Sequence, residues 1–167
     1  MVIDKDIFRI GITIPDGVNL NLFYEHELRQ PFSILFKAGT NVDYRIAEFN
    51  GGVPNWYIHA FSSSEIRYYY SLNKRFRLNR PVRNFTAGYF SLEPYFRSNQ
   101  LAAINDIHIA KGGSMGSFLN WGYQGQYKNH FFTAFVGALL LSKDLSISTY
   151  PTTPSKISFG LTYGYVF

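Results

Sequence analysis

The chain has 167 residues, a length that favours a single domain over residues 1–167 rather than two. Its net charge is +5, and it has no cysteine, which excludes disulfides and thiolate metal sites. Aromatic residues make up 19% of the chain and charged residues 16%, whereas soluble domains carry about 25% charged residues. The mean hydropathy of −0.10 is close to neutral, so apolar and polar residues are finely interleaved. No stretch approaches the roughly 20 apolar residues of a transmembrane helix.

Alternation of apolar and polar residues with a period of two is the dominant pattern, and it predicts β-strands. It is clearest at the end of the chain, where Ile157, Phe159 and Leu161 alternate with small or polar residues. In the fifth and seventh segments the alternation is blurred, and the sequence does not assign which of their faces points inward. The predicted strands cover residues 7–14, 18–28, 32–47, 56–72, 85–97, 117–127, 130–142 and 156–167.

The connections between these strands alternate in length. Residues 29–31 and 128–129 are tight turns, whereas residues 48–55, 98–116 and 143–155 are longer and rich in Gly, Pro, Asn and Ser. Short turns at one end and longer loops at the other are typical of outer-membrane barrels. The first strand is short, and the connection 73–84 is long for a turn.

In the predicted strands whose alternation is clear, the charged residues lie on the face opposite the apolar one. A soluble barrel turns its apolar face inward, whereas a membrane barrel turns it to lipid and fills its lumen with polar residues. Several segments reach the about 9–11 residues of a membrane strand, and Tyr and Trp lie near strand ends, as in interfacial girdles. The sequence therefore predicts an all-β fold, a single antiparallel up-and-down transmembrane β-barrel of about eight strands. The predicted lumen polar network is Arg9, Glu25, Glu27, Lys37, Asp43, Arg45, Glu65 and Arg67.

This polar network favours a filled lumen. Buried charges must be paired, because isolated ones are very costly, and the network has four acidic and four basic residues. Since the interior of an eight-stranded barrel is just wide enough to be filled by side chains, we interpret the network as a plug of ion pairs rather than a proton path or ligand site. Large side chains on the same face, which include Phe23, Leu35, Tyr57, Phe61 and Tyr69, predict that there is no open pore.

The last strand carries a family resemblance. The run Phe159, Leu161, Tyr163, Tyr165 and Phe167 resembles the C-terminal β-signal of outer-membrane proteins. With the stretches 24–28 and 64–75, the chain resembles small, mostly uncharacterised outer-membrane barrels common in Bacteroidetes. The resemblance implies a Gram-negative outer-membrane location and insertion by the barrel-assembly machinery. Because the first six residues are neither basic nor followed by an apolar core, we expect a signal peptide to have been removed.

Catalytic and metal sites are not favoured by the sequence. Small outer-membrane barrels include lipid A deacylases with a His and a Ser two residues apart on one strand, but here His59 and Ser63 lie about 13 Å apart along a strand. His26, His108 and His130 have no partner at metal-ligand spacing. We therefore predict a non-enzymatic protein without cofactor or metal. The alternatives are a lipid A-modifying enzyme and a lipocalin-like barrel that binds a hydrophobic ligand.

A cluster of basic residues supplies the candidate partner contact. No stacking motif of an RNA-binding module accompanies these residues, so nucleic acid is not an expected partner. Because arginine pairs well with phosphates and carboxylates, we predict that the cluster contacts outer-membrane lipid or another outer-membrane or periplasmic protein, as in an accessory subunit of a larger complex. The alternative is a solvated turn. The cluster comprises Lys74, Arg75, Arg77, Arg80 and Arg83, with Phe76 between them.

Overall fold

A computed structural model of the protein describes residues 5–14, 18–46, 54–79, 83–104, 113–144 and 156–167. Eight antiparallel strands pair in chain order, and β1 pairs with β8 to close the barrel. The predicted all-β up-and-down barrel is thereby confirmed. Its strands are β1 (Asp6–Ile14), β2 (Val18–Arg29), β3 (Phe32–Ile46), β4 (Pro54–Tyr68), β5 (Ala87–Ile104), β6 (Ser114–Tyr127), β7 (His130–Asp144) and β8 (Ile157–Val166).

The two ends of the barrel differ. We call the end where β1 begins and β8 ends the turn end, since the short connections β2–β3 and β6–β7 also lie there. The opposite end is the far end. The connection from β4 to β5 lies at the turn end and contains a short helix, α1 (Leu72–Arg77), and a 3-10 turn (Arg83–Phe85). Within the described residues, no helix has the length and apolar character needed to span a membrane.

Two predicted strand boundaries are wrong by four residues or more. The fourth strand ends at Tyr68 instead of residue 72, because the Tyr69 N–H leaves the wall and donates to the Pro31 carbonyl at 2.9 Å. The fifth strand runs to Ile104 instead of residue 97, because its last residues pair with the beginning of β4. Pairing with β4 therefore extends the strand beyond the point where its own alternation fades.

The wall separates apolar from charged side chains. Among the described residues, 35 large apolar side chains are exposed and only 10 apolar residues are buried, while Arg9, Glu25, Glu65 and Arg67 are all buried inside the barrel. The faces of β5 and β7 are also defined: Ser91, Glu93, Phe131 and Thr133 are among the residues that point inward. The barrel therefore has an apolar outer wall and a polar interior, the reverse of a water-soluble core.

Large interior side chains pack over small ones on the neighbouring strand. Gly11 and Gly164 lie directly opposite each other on β1 and β8. The ring of Phe131 covers both, and a Cβ atom on Gly164 would come within 2.6 Å of that ring. The glycines at this seam thus make room for a bulky aromatic residue in a narrow interior.

The connection between β4 and β5 closes the turn end of the interior. Its Leu72 and Phe85 side chains are buried, and Phe85 stacks on Tyr69 with 5.1 Å between the ring centroids. Gln124 on β6 holds this connection in place by donating to the Asn84 carbonyl at 3.1 Å. The turn end of the barrel is consequently filled by side chains.

Candidate functional site

The interior holds a first ionic cluster around Glu25. This carboxylate is 0% exposed and accepts a hydrogen bond from the Arg9 guanidinium at 2.7 Å. It also accepts from the hydroxyls of Ser33 and Tyr69, each at 2.6 Å. Gln124 adds a longer contact at 3.4 Å. Four strands and the start of the β4–β5 connection thus converge on one buried carboxylate.

A second cluster lies next to the first, around Lys37. Its ammonium group pairs with the carboxylates of Glu65 and, at 2.6 Å, Glu93. Arg67 donates to the other oxygen of Glu65 at 2.6 Å. It also donates to Gln124 at 2.8 Å, which links the two clusters. Three cations, Arg9 among them, therefore face three carboxylates in the buried part of the network.

The predicted lumen network is only partly brought together. Arg9, Glu25, Lys37, Glu65 and Arg67 form the two clusters. Glu27 points inward at the turn-end rim, is half-buried, and makes none of the ion pairs seen among the described residues. The side chains of Asp43 and Arg45 lie outside the described residues.

Sequence reasoning missed the third carboxylate, Glu93. It accepts hydrogen bonds from Ser63 at 2.7 Å and from Asn120 at 2.7 Å, besides its pair with Lys37. The alternation of apolar and polar residues in its strand is obscured by Pro94 and by aromatic residues on both faces. Charge balance gave no signal for Glu93, because the predicted network already contained four acidic and four basic residues.

A cavity of about 210 Å³ occupies the far half of the interior. Its floor is formed by the ionic clusters, and its wall combines aromatic rings with amides. The Tyr95 hydroxyl and the Arg9 Nε are buried there and find no hydrogen-bond partner among the described residues. The predicted filling of the lumen therefore applies to its turn-end half, whereas the far half retains space.

The filled turn end leads to a prediction about conductance. Because Tyr69, Phe85 and Tyr89 are completely or almost completely buried across that end, we expect no steady ion conductance when the purified protein is added to planar bilayers. A porin of about 16 strands, which leaves an aqueous channel, is the positive control. Reproducible long-lived conductance steps from the protein would contradict a closed interior.

The other predicted residues whose side chains the structure describes lie on the outside. The β8 row Phe159, Leu161, Tyr163, Tyr165 and Phe167 is exposed, and β8 pairs with β1 through six residue pairs. In the basic cluster, Lys74, Arg75 and Arg77 belong to α1, with Phe76 62% exposed beside them. Arg80 and the Arg83 side chain lie outside the described residues.

Two interior groups of the kinds used in nucleophilic catalysis are engaged by carboxylates. The hydroxyl of Ser63 donates to Glu93, and the Lys37 ammonium beside it is paired with two carboxylates. No group of three or more His, Cys, Asp and Glu residues is placed to hold a metal ion in this part of the chain. Comparison with protein-family models, with curated proteins and with solved structures finds no match to the chain.

Proposed function

We propose that the protein is an integral barrel of the bacterial outer membrane, of the kind common in Bacteroidetes, that spans the bilayer without conducting ions. The observation that carries this proposal is the reversed barrel: an apolar wall around buried ion pairs. In water such a wall would be unfavourable, because exposed apolar patches of this extent drive association. In a bilayer the same wall meets lipid, and closure gives each of the eight strands a neighbour on both sides.

The outward aromatic residues support the same proposal. Tyr68, Tyr70, Tyr127, Tyr163 and Tyr165 are exposed near the turn end, where rings with an apolar body and a polar tip suit a membrane interface. Trp56 is exposed near the far end, and the Tyr44 side chain lies outside the described residues. The two ends of the wall would then correspond to the two interfaces of the membrane.

Fractionation tests the membrane location and the proposed assembly signal together. We expect the protein in the outer-membrane fraction, released by detergent but not by alkaline carbonate. Replacing both Tyr165 and Phe167 with Ser should lower the inserted amount, because it removes the outward aromatic residues by which we infer that the barrel-assembly machinery recognises β8. The measurement is the membrane-inserted fraction on immunoblots, with barrel folding judged by heat-dependent gel migration.

The matched control is Tyr127→Ser. Tyr127 is also an outward aromatic residue at the turn end, 72% exposed, but it lies on β6. Equal insertion of the β8 variant and the Tyr127→Ser variant would contradict a special role of β8. Recovery of the wild-type protein as a soluble monomer without detergent would contradict the membrane proposal.

We infer further that the barrel is a non-enzymatic accessory or structural subunit beside a larger outer-membrane complex. Support comes from α1, which exposes Phe76, Lys74 and Arg77 at the turn end and also carries the half-buried Arg75. Leu72 anchors the helix by its burial, so the basic face is held on the barrel rather than on a free tail. Exposed basic residues around an apolar ring suit an acidic protein surface or lipid phosphates.

Replacement of the basic cluster tests the accessory role. The variant Lys74→Ser, Arg75→Ser, Arg77→Ser, Arg80→Ser and Arg83→Ser should fold normally but lose most of any protein that co-purifies with the barrel in mild detergent, because charge-assisted contacts are removed. Quantitative mass spectrometry of the purified samples measures this loss.

The control for this variant is Lys5→Ser with Lys128→Asn. Both lysines lie at the same end of the barrel, and asparagine tolerates the positive φ of 53° at residue 128. If the wild-type protein co-purifies with no partner, or if the five-residue variant retains its partner fully, a barrel that acts alone in lipid becomes the better proposal.

A further inference from the structure

The interior cavity is lined by polar side chains with unused hydrogen-bonding capacity. Its lining includes Arg9, Asn21, Tyr95 and Asn120. Arg9 and both asparagines are each only 2% exposed. The Arg9 Nε atom, the two amide oxygens and the tyrosine hydroxyl are buried and find no hydrogen-bond partner among the described residues. Because the large majority of buried polar atoms in proteins have a partner, four such groups around one cavity are suited to a molecule bound between them.

The four groups lie on opposite sides of the cavity. Arg9 belongs to β1 and Asn21 to β2. Tyr95 belongs to β5 and Asn120 to β6. In the closed barrel of eight strands, β1 is opposite β5 and β2 is opposite β6. A molecule in the cavity would therefore be held from two sides rather than by one wall.

Glycine keeps the two amides close to the wall. Asn21 pairs with Gly39 across β2 and β3, and Asn120 pairs with Gly137 across β6 and β7. A Cβ atom on either glycine would collide with the amide oxygen of the asparagine opposite. Each oxygen thus occupies the place that a side chain would take, and the amides do not fill the cavity.

The hydrogen bonds that the protein does make define what a ligand must supply. The Asn21 amide donates to the Thr13 hydroxyl at 3.0 Å, and the Asn120 amide donates to Glu93 at 2.7 Å. Their oxygens are therefore left as acceptors, whereas the Arg9 Nε atom is a donor and the tyrosine hydroxyl can be either. A matching ligand carries both donors and acceptors at its edge.

The volume and the aromatic rings of the cavity define the rest of the ligand. A volume of about 210 Å³ lies between the about 150 Å³ of a cavity that holds benzene and the about 300 Å³ of the smallest pockets for drug-sized molecules. Among the lining residues, Tyr95 stacks on Phe118 and Phe23 meets Phe131 edge to face. Because aromatic faces are electron-rich, they attract the C–H groups of a ligand. A single substituted ring with C–H groups on its faces fits this lining.

The charges next to the cavity are already matched. The three cations of the two ionic clusters face three carboxylates. Arg97, which is half-buried towards the far end, also has an interaction partner. A charged ligand would bring an unpaired charge into a buried site, which is very costly. The ligand that suits the cavity is therefore uncharged.

We propose that the far half of the barrel interior binds an uncharged hydroxylated ring of the size of a monosaccharide. Each sugar hydroxyl can both donate and accept a hydrogen bond. These hydroxyls project from the edge of the ring, and C–H groups cover its faces. The same distribution is found in the cavity, where polar groups on opposite walls are combined with aromatic rings. The site does not depend on the membrane location proposed above.

A saturation-transfer difference NMR titration of the purified protein tests the site. The protein is kept in micelles of a detergent without a sugar head group. The probes are D-glucose, D-galactose, D-mannose and N-acetyl-D-glucosamine, with D-glucuronate as a charged sugar and indole as an apolar ring. We expect saturable binding of at least one neutral sugar, and weaker binding of D-glucuronate.

The variant Tyr95→Phe distinguishes ligand binding from a structural role. Because the hydroxyl has no partner among the described residues, its removal should leave urea unfolding of the free protein unchanged. The dissociation constant of the sugar should rise about 2–12-fold, the effect of one hydrogen bond. Tyr123→Phe, on the outer face of β6, is the matched control and should leave the affinity unchanged.

A second variant reduces the space in the cavity. Thr133 lines the cavity and is 6% exposed, so Thr133→Phe should abolish the binding of the sugar. Ala134→Phe is the control, since Ala134 pairs with the exposed Tyr123 and Leu161 on the outer face. Heat-dependent gel migration shows whether each variant has folded.

The outcomes decide between a sugar, another ligand and water alone. Absence of saturable binding for all four neutral sugars overturns the proposal, as does an affinity that Tyr95→Phe leaves unchanged. Sugar binding that persists in folded Thr133→Phe protein places the sugar elsewhere and also overturns it. Tighter binding of D-glucuronate than of every neutral sugar overturns the uncharged class. Indole binding that Thr133→Phe abolishes, without any sugar binding, would assign the cavity to an apolar ligand instead.

Discussion

The substitution Glu25→Leu is expected to lower the free energy of unfolding by about 3–5 kcal/mol, the range for removing one partner of a buried ion pair. Glu25 is 0% exposed and accepts hydrogen bonds from Arg9, Ser33 and Tyr69. Its loss leaves the Arg9 guanidinium buried without a carboxylate. Urea unfolding in detergent micelles, followed by tryptophan fluorescence, measures the difference.

Two further variants test whether the unpaired Arg9 charge causes this loss of stability. Glu27→Leu removes a carboxylate from the same face of β2 at the half-buried rim, and we expect a loss below about 1 kcal/mol. In the double variant Arg9→Met with Glu25→Leu, most of the stability should return, because no unpaired charge remains. Equal losses for Glu25→Leu and Glu27→Leu would contradict the structural role of the buried cluster.

The substitution Leu22→Arg should destabilise the barrel by about 2–4 kcal/mol in phospholipid vesicles, the cost of an arginine on the lipid face near the membrane midplane. Leu22 lies near the middle of β2 and points outward, 61% exposed. Reversible unfolding by urea or guanidinium in the presence of vesicles measures the change.

Leu28→Arg is the matched control for depth. Leu28 lies on the same face of the same strand with a similar exposure of 56%, but near the turn end. There the cost should be only about 0–1 kcal/mol, because the side chain can reach water. Equally small effects at both positions would mean that the wall faces water, and the membrane proposal would fail.

The sequence by itself determined which side of most strands faces inward. In β1 to β4, β6 and β8, charged and small residues alternate with large apolar ones, and a period of two assigns the two faces without knowledge of neighbours. Arg9, Glu25, Lys37, Glu65 and Arg67 could therefore be predicted to share the interior. Alternation is a local property of an extended chain, so the local sequence is sufficient to predict which side chains share a face.

The tertiary structure decided what those residues contact. Glu93 could not be assigned to the interior because aromatic residues occupy both faces of β5 and Pro94 interrupts the pattern. Its partner Lys37 lies 56 residues earlier, and only closure of the barrel brings the two side chains together. Likewise, the sequence predicted a long connection after β4, but not that its Leu72 and Phe85 side chains are buried at the turn end.

The pairing around Pro94 was also decided by the tertiary structure. Proline predicts a missing hydrogen bond from sequence alone. Which strand faces that proline follows only from the pairing of β4 with β5, where Ser63 pairs with Tyr95 and Ile66 with Leu92. The register between two strands is a property of the pair and of the closed barrel, because the partner of each residue lies on another part of the chain.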